Sequence, residues 1–321
     1  MFHQSMSRLI RSTIGKYYQY RSHLLLKHSL TVFCYHEVSE NPSKFCKEYE
    51  LNVVPQIFDY QIRFIKKNFN IITPDELLKN HLPKNAAMIT FDDGFLSFFE
   101  IAIPILKKNH VPALIFLNMA PIQGAVFWSG LITYLCNERL EFVRYIKDIL
   151  GPDLPEPLFL HCSKEIVLGY LKKVQYNFGT EVENYIGEFA NENHLEIAAE
   201  NKFIYFGNHL YNHYVPKLMT DEDLIDCFEK NVNALKKYKN YRNLFSFPFG
   251  QPNSCFTGHQ VSLLRDRFST QIFASSQRIN YNLEFPLDRI SLTTEHNSPT
   301  KIWFETFKHR VRDQIYWPST S

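Results

Sequence analysis

Two stretches of this sequence hold side chains that could do chemistry together. The first is Thr90-Phe91-Asp92-Asp93-Gly94. It continues the apolar run Ala87-Met88-Ile89, which reads as a buried strand. Two adjacent carboxylates at a strand's mouth repel each other unless a cation is near. A metal ion resolves the conflict, because one carboxylate can ligate while the other takes a proton. Asp-Gly is also a common turn pair, so this stretch alone decides little. The second stretch is His209-Leu210-Tyr211-Asn212-His213. Residues four apart share a helix face, so both imidazoles can reach one ion. Thirteen histidines in 321 residues make that spacing common by chance, and surface histidines would explain it too. Its position after a strand and a glycine is the stronger sign. With one carboxylate the pair forms a two-His, one-carboxylate site with open positions. Zinc in such a site brings the pKa of bound water to about 7 and polarises a carbonyl. Fe(II), Co(II) and Ni(II) suit the same donors.

The elements that must position these groups alternate. Residues 31–35, 71–72, 87–91, 113–117, 203–206, 244–247, 271–274 and 290–292 read as short apolar strands. Pro55 opens a helix, Thr73 with Glu76 forms a capping box, 95–108 reads as a helix despite Pro104, and Thr220 caps a helix reaching Tyr238. Strand–helix alternation predicts a parallel α/β architecture. Ligands of such folds sit at the C-terminal ends of the strands, where every residue singled out here falls. The rhythm breaks over 121–199, which reads as a helical insertion. The expected organisation is a basic helical segment over 1–30, a barrel over 31–120 and 200–300, that insertion, and a C-terminal tail over 301–321.

The two stretches, followed by Phe247-Pro248-Phe249-Gly250, resemble the polysaccharide deacetylases, the NodB-homology enzymes of carbohydrate esterase family 4. The resemblance covers about residues 31–120 and 200–293. It implies a distorted (β/α)7-type barrel and metal-dependent hydrolysis of N-acetyl groups from a carbohydrate, releasing acetate. It makes Asp92 the general base, Asp93, His209 and His213 the ligands of one divalent metal (zinc before cobalt, nickel or iron), and the Phe249 N–H an oxyanion donor. Phe249 stands where the family usually has Tyr. Ser246 stands where the family carries a base-orienting Arg, and Arg289 is the candidate to replace it from another strand. The family's late Leu-x-His acid is not evident, since His296 does not read as a strand end. His36, at the end of Val32-Phe33-Cys34-Tyr35, takes that place and is similar to the circularly permuted exopolysaccharide-deacetylase branch. A deformylase or other amide hydrolase on the same fold, and a catalytically silent carbohydrate-binding homologue, are the rival readings.

Composition narrows the partners. A formal charge of +2 excludes a general nucleic-acid binder, and 45% apolar residues suffice for a large core. The expected partner is an N-acetylated glycan. Six cysteines without metal-type spacing read as buried free thiols of a reducing compartment. No signal peptide or spanning segment is read, so the expected location is the cytoplasm, with the inner face of the membrane as an alternative. That alternative rests on Arg8, Arg11, Lys16, Arg21 and Lys27, which interleave with Leu9, Ile10, Ile14, Tyr17 and Tyr18 before the first acidic residue, Glu37.

Overall fold

The computed structural model describes residues 2–80, 82–175, 179–283 and 285–316. Among the described residues ten strands form in chain order: β1 (Leu30–Tyr35), β2 (Glu37–Val38), β3 (Asn52–Val53), β4 (Asn70–Ile71), β5 (Ala86–Asp93), β6 (Ala113–Leu117), β7 (Ile204–Asn208), β8 (Tyr241–Ser246), β9 (Gln271–Phe273) and β10 (Arg289–Ser291). Seven follow one path, β10-β1-β5-β6-β7-β8-β9, with β4 beside β5 and β2–β3 as a separate pair. Each pairing is parallel. A bridge between Phe273 and Leu287 links β9 to the segment entering β10, so the sheet curls into the distorted α/β barrel.

The central strands β5 and β6 are buried on both faces, as a helix-covered parallel sheet requires. Gly207 is needed on β7 because an added Cβ would stand 2.7 Å from the Phe116 ring. The Thr73–Glu76 capping box and the Thr220 cap both form. The stretch 95–108 is not one α-helix. A π-turn over Phe98–Ala102 precedes the helix Ile103–Asn109, with Pro104 in its first turn, where a missing N–H costs little.

The helices within 121–199 build a second apolar cluster around Phe127, Ile132, Phe142 and Val167, joined by Phe45 and Phe95 from the barrel side. The stretch expected as a C-terminal tail over 301–321 overlaps a helix. Pro299–Tyr316 is a helix that buries Ile302, Trp303 and Phe307, and Trp303 packs against Phe64 and Phe69. Residues 317–321 lie outside the described residues. The helix Phe2–Leu25 lies against this C-terminal helix, Tyr18 stacking on Phe307 at 4.6 Å. Among the described residues no helix is long and apolar enough to cross a membrane. All six cysteines are free, and only Cys136 is not fully buried.

One buried group of the C-terminal helix makes stability depend on pH. Burial, then Arg278 and Arg310, hold His309 down at about 4 against an ordinary 6.5. Between those values the unfolded chain binds the proton and the folded chain does not, so stability falls as pH drops from about 6.5 to about 4. His309→Gln is expected to flatten that part of a denaturant-midpoint profile measured between pH 7 and 4. An unchanged slope would remove His309 from the account.

Candidate active site

The polar groups meet where β1, β5, β7 and β8 end and where the short β10 begins. β5 terminates in Asp92 and Asp93, with Asp93 in register with Leu117 of β6. Asp93 has φ 76° and Gly94 φ 111°, a turn that aims both carboxylates across the barrel mouth. Both are about 3% exposed. β7 ends at Asn208, and His209 follows.

The segment 209–213 is not helical, which corrects the helix-face reasoning for its two histidines. Leu210 (φ 59°) and His213 (φ 57°) take left-handed backbone, and the bend brings the imidazole centroids to 4.9 Å. A buried asparagine network stabilises this uncommon path. Asn118 Nδ2 donates to the carbonyl oxygens of His209 and Leu210, the latter at 2.9 Å. Asn208 Oδ1 accepts from Leu210 N at 2.9 Å and from Asn231 Nδ2 at 2.7 Å. Asn231 Nδ2 also reaches the Leu117 carbonyl at 2.7 Å. Sequence reasoning missed these three residues; polar side chains directly after β6 and at the end of β7 were the available signal.

Asp93 Oδ1 lies 3.2 Å from His213 Nε2 and 3.6 Å from His209 Nε2. One donor atom from each of the three residues falls within 4.8 Å of the others. His209 Nδ1 donates to the Ser246 carbonyl at 2.7 Å, which leaves the lone pair of Nε2 facing Asp93. Ser246 thus serves the site through its backbone. Asp93 Oδ1 is buried and accepts no hydrogen bond of ordinary geometry. Two nitrogen lone pairs and one under-satisfied carboxylate oxygen are a donor set that fits a divalent ion. Burial lowers His209 to about 4, offset in part by Asp92, so its imidazole is neutral at neutral pH.

Asp92 is held differently. Arg289, itself 1% exposed, grips it with two parallel bonds, Nη1 to Oδ1 at 2.6 Å and Nη2 to Oδ2 at 2.8 Å. The guanidinium is fixed in turn by the Ala274 carbonyl at 3.0 Å and the Ser275 hydroxyl at 3.1 Å, and it lies over the Phe116 ring. Burial pushes the Asp92 carboxyl up, but Arg289 and then His209 outweigh it and hold it well below the usual carboxylate range. His36, directly after β1, places Nε2 3.8 Å from Asp92 Oδ2, with its side chain 18% exposed.

These groups share a cavity of about 490 Å³. The insertion contributes Ser129, Thr133, Phe159 and Leu160 to its wall. Phe249 (φ 62°) packs its ring between His213, at 4.9 Å, and Phe159, at 5.4 Å. A larger depression of about 710 Å³, between the helices Ile103–Asn109 and Glu192–Ala199, holds none of these residues. His296 is elsewhere, accepting from Thr293 N at 2.9 Å and facing Glu305 at 3.5 Å.

No family model and no curated protein matches this sequence. Solved structures match it. IcaB from Ammonifex degensii is similar over 87% of this chain and 97% of its own, with TM-score 0.57 and 18% identity. A de-N-acetylase from Aggregatibacter actinomycetemcomitans is similar over 86% and 99%, with TM-score 0.57 and 14% identity. BC0361, a polysaccharide deacetylase from Bacillus cereus, covers 88% of this chain and 69% of its own, with TM-score 0.53 and 12% identity. This chain has the fold of the polysaccharide deacetylases. On that deacetylase fold, Asp92 and Asp93 end a central strand of the sheet, and Arg289 comes from the strand next but one.

Proposed function

We propose that this chain is a metal-dependent N-deacetylase acting on a carbohydrate. The observation that carries the reading is the meeting of Asp93, His209 and His213 beside a carboxylate held by arginine and a partly exposed histidine, in one cavity. The de-N-acetylase and the polysaccharide deacetylase that share this fold support de-N-acetylation of a polysaccharide as the reaction.

Asp93, His209 and His213 would hold the ion. Bound there, a divalent metal, zinc first among the candidates, polarises an amide carbonyl and acidifies a water enough for so weak a base as Asp92. Asp92 takes the proton of the attacking water, its two oxygens kept in place by Arg289. The Phe249 N–H, on its left-handed turn, donates to the oxygen that gains charge. His36 lines the cavity with Nε2 3.8 Å from Asp92 Oδ2, so it protonates the departing nitrogen, which would otherwise leave as a strongly basic amide ion. This assigns the acid to the N-terminal strand, as in a permuted arrangement.

His36→Ala is expected to slow turnover about 10²–10⁴-fold, and His296→Ala to leave it unchanged. The reverse pattern in kcat would move the acid to His296. The reaction itself is tested by loading the protein with zinc, cobalt or nickel and offering N-acetylated and N-formylated saccharides. Acetate released in step with new free amine supports the deacetylase. Formate in its place makes the chain a deformylase, and sugar binding without either product makes it a silent carbohydrate binder.

A further inference from the structure

A helix that buries one side in a protein body usually turns a polar side to water. The helix Phe2–Leu25 turns large apolar side chains to water as well, from position 10 onward. Its inner side is fixed: an added Cβ at Gly15 would stand 2.1 Å from the Thr300 carbonyl oxygen, and Tyr18 stacks on Phe307. On the other side Ile10, Tyr17, Tyr20 and Leu24 are each more than half exposed. They follow at intervals of seven, three and four, which places them on one stripe of the helix. Exposed Lys16 and Arg21 border the stripe and exposed Lys27 follows the helix end, while Arg11 lies over the Phe304 ring. No acidic residue occurs in positions 1–36, and among the described residues Lys16, Arg21 and Lys27 pair with no carboxylate.

We propose that this face docks the protein on an anionic lipid membrane. The helix is too polar to span and suits the plane of the interface. Tyr17 and Tyr20 match the headgroup level, Ile10 and Leu24 the acyl boundary, and the bases the anionic headgroups. The charge argues against a second copy of this chain as the occupant. A twofold contact would set the same bases against themselves with no acid between them. Nucleic acid fits no better, because the centre of the stripe is apolar and its cations are few.

The test is co-sedimentation of the full chain with phosphatidylcholine vesicles, with and without phosphatidylserine. The chain is expected to pellet with the anionic vesicles and to be released by salt. Lys16→Gln, Arg21→Gln and Lys27→Gln together are expected to lower the partition coefficient on the order of a hundredfold. Tyr17→Ser, Tyr20→Ser and Leu24→Ser together should lower it at least about tenfold. All six side chains are exposed, so Tm should stay at the parent value in both variants, which separates lost docking from lost folding. A parent chain that stays in solution, or variants that pellet as well as the parent, overturn the proposal. A dimer dissolved by the serine substitutions, without vesicle binding, would assign the face to a second copy.

Discussion

Asp92→Asn is expected to keep the ion and the substrate and to lose about 10²–10⁴ in kcat, with KM little changed. Asparagine has nearly the shape of the carboxylate, and Asp93, His209 and His213 do not depend on it for their positions. What it cannot do is accept a proton. The same change leaves the Arg289 charge buried without its bidentate partner, since an amide offers that fork one acceptor and one opposing donor. A loss on the order of 3 kcal/mol in stability should therefore accompany the loss of rate. Steady-state kinetics well below the variant's melting temperature separate the two effects. A kcat equal to the parent's would remove Asp92 as the base.

His209→Ala should abolish both metal uptake and turnover. His209 is the ligand whose orientation is most completely determined, with its Nδ1 held by the Ser246 carbonyl and its ring 2% exposed. Removing it leaves one nitrogen and one carboxylate, too few protein donors for a catalytic zinc site, which takes three. Elemental analysis after dialysis should read near one ion per chain for the parent and near none for the variant. A variant that retains its ion would place the metal elsewhere.

Much of this was legible in the sequence, for identifiable reasons. The run Ala87–Phe91 is apolar because β5 is covered on both faces, and a run of that kind ending in two carboxylates marks a strand mouth. Arg289 was a candidate because Ser246 stands at the family's usual Arg and another strand could supply the cation, although nothing in the order of residues shows that its fork meets Asp92. Other features are settled by packing at long range. The bend at Leu210 and His213 depends on asparagines far away in the chain, Asn118 and Asn231, so a helical spacing was the natural expectation and the wrong one. The helix Pro299–Tyr316 hides among Lys, His and Arg because its buried stripe is narrow and needs Phe64, Phe69 and Tyr18 to cover it. The wall that Phe159 and Leu160 lend to the cavity comes from an insertion whose periodicity shows helices and not their destination.

The claim on which the rest depends is that one cation sits among Asp93, His209 and His213. Crystals grown with zinc and measured at its absorption edge address it directly. A single anomalous peak about 2.0–2.2 Å from His209 Nε2, His213 Nε2 and an Asp93 oxygen is the predicted result. A fully loaded crystal with its peak at any other group of side chains would contradict it.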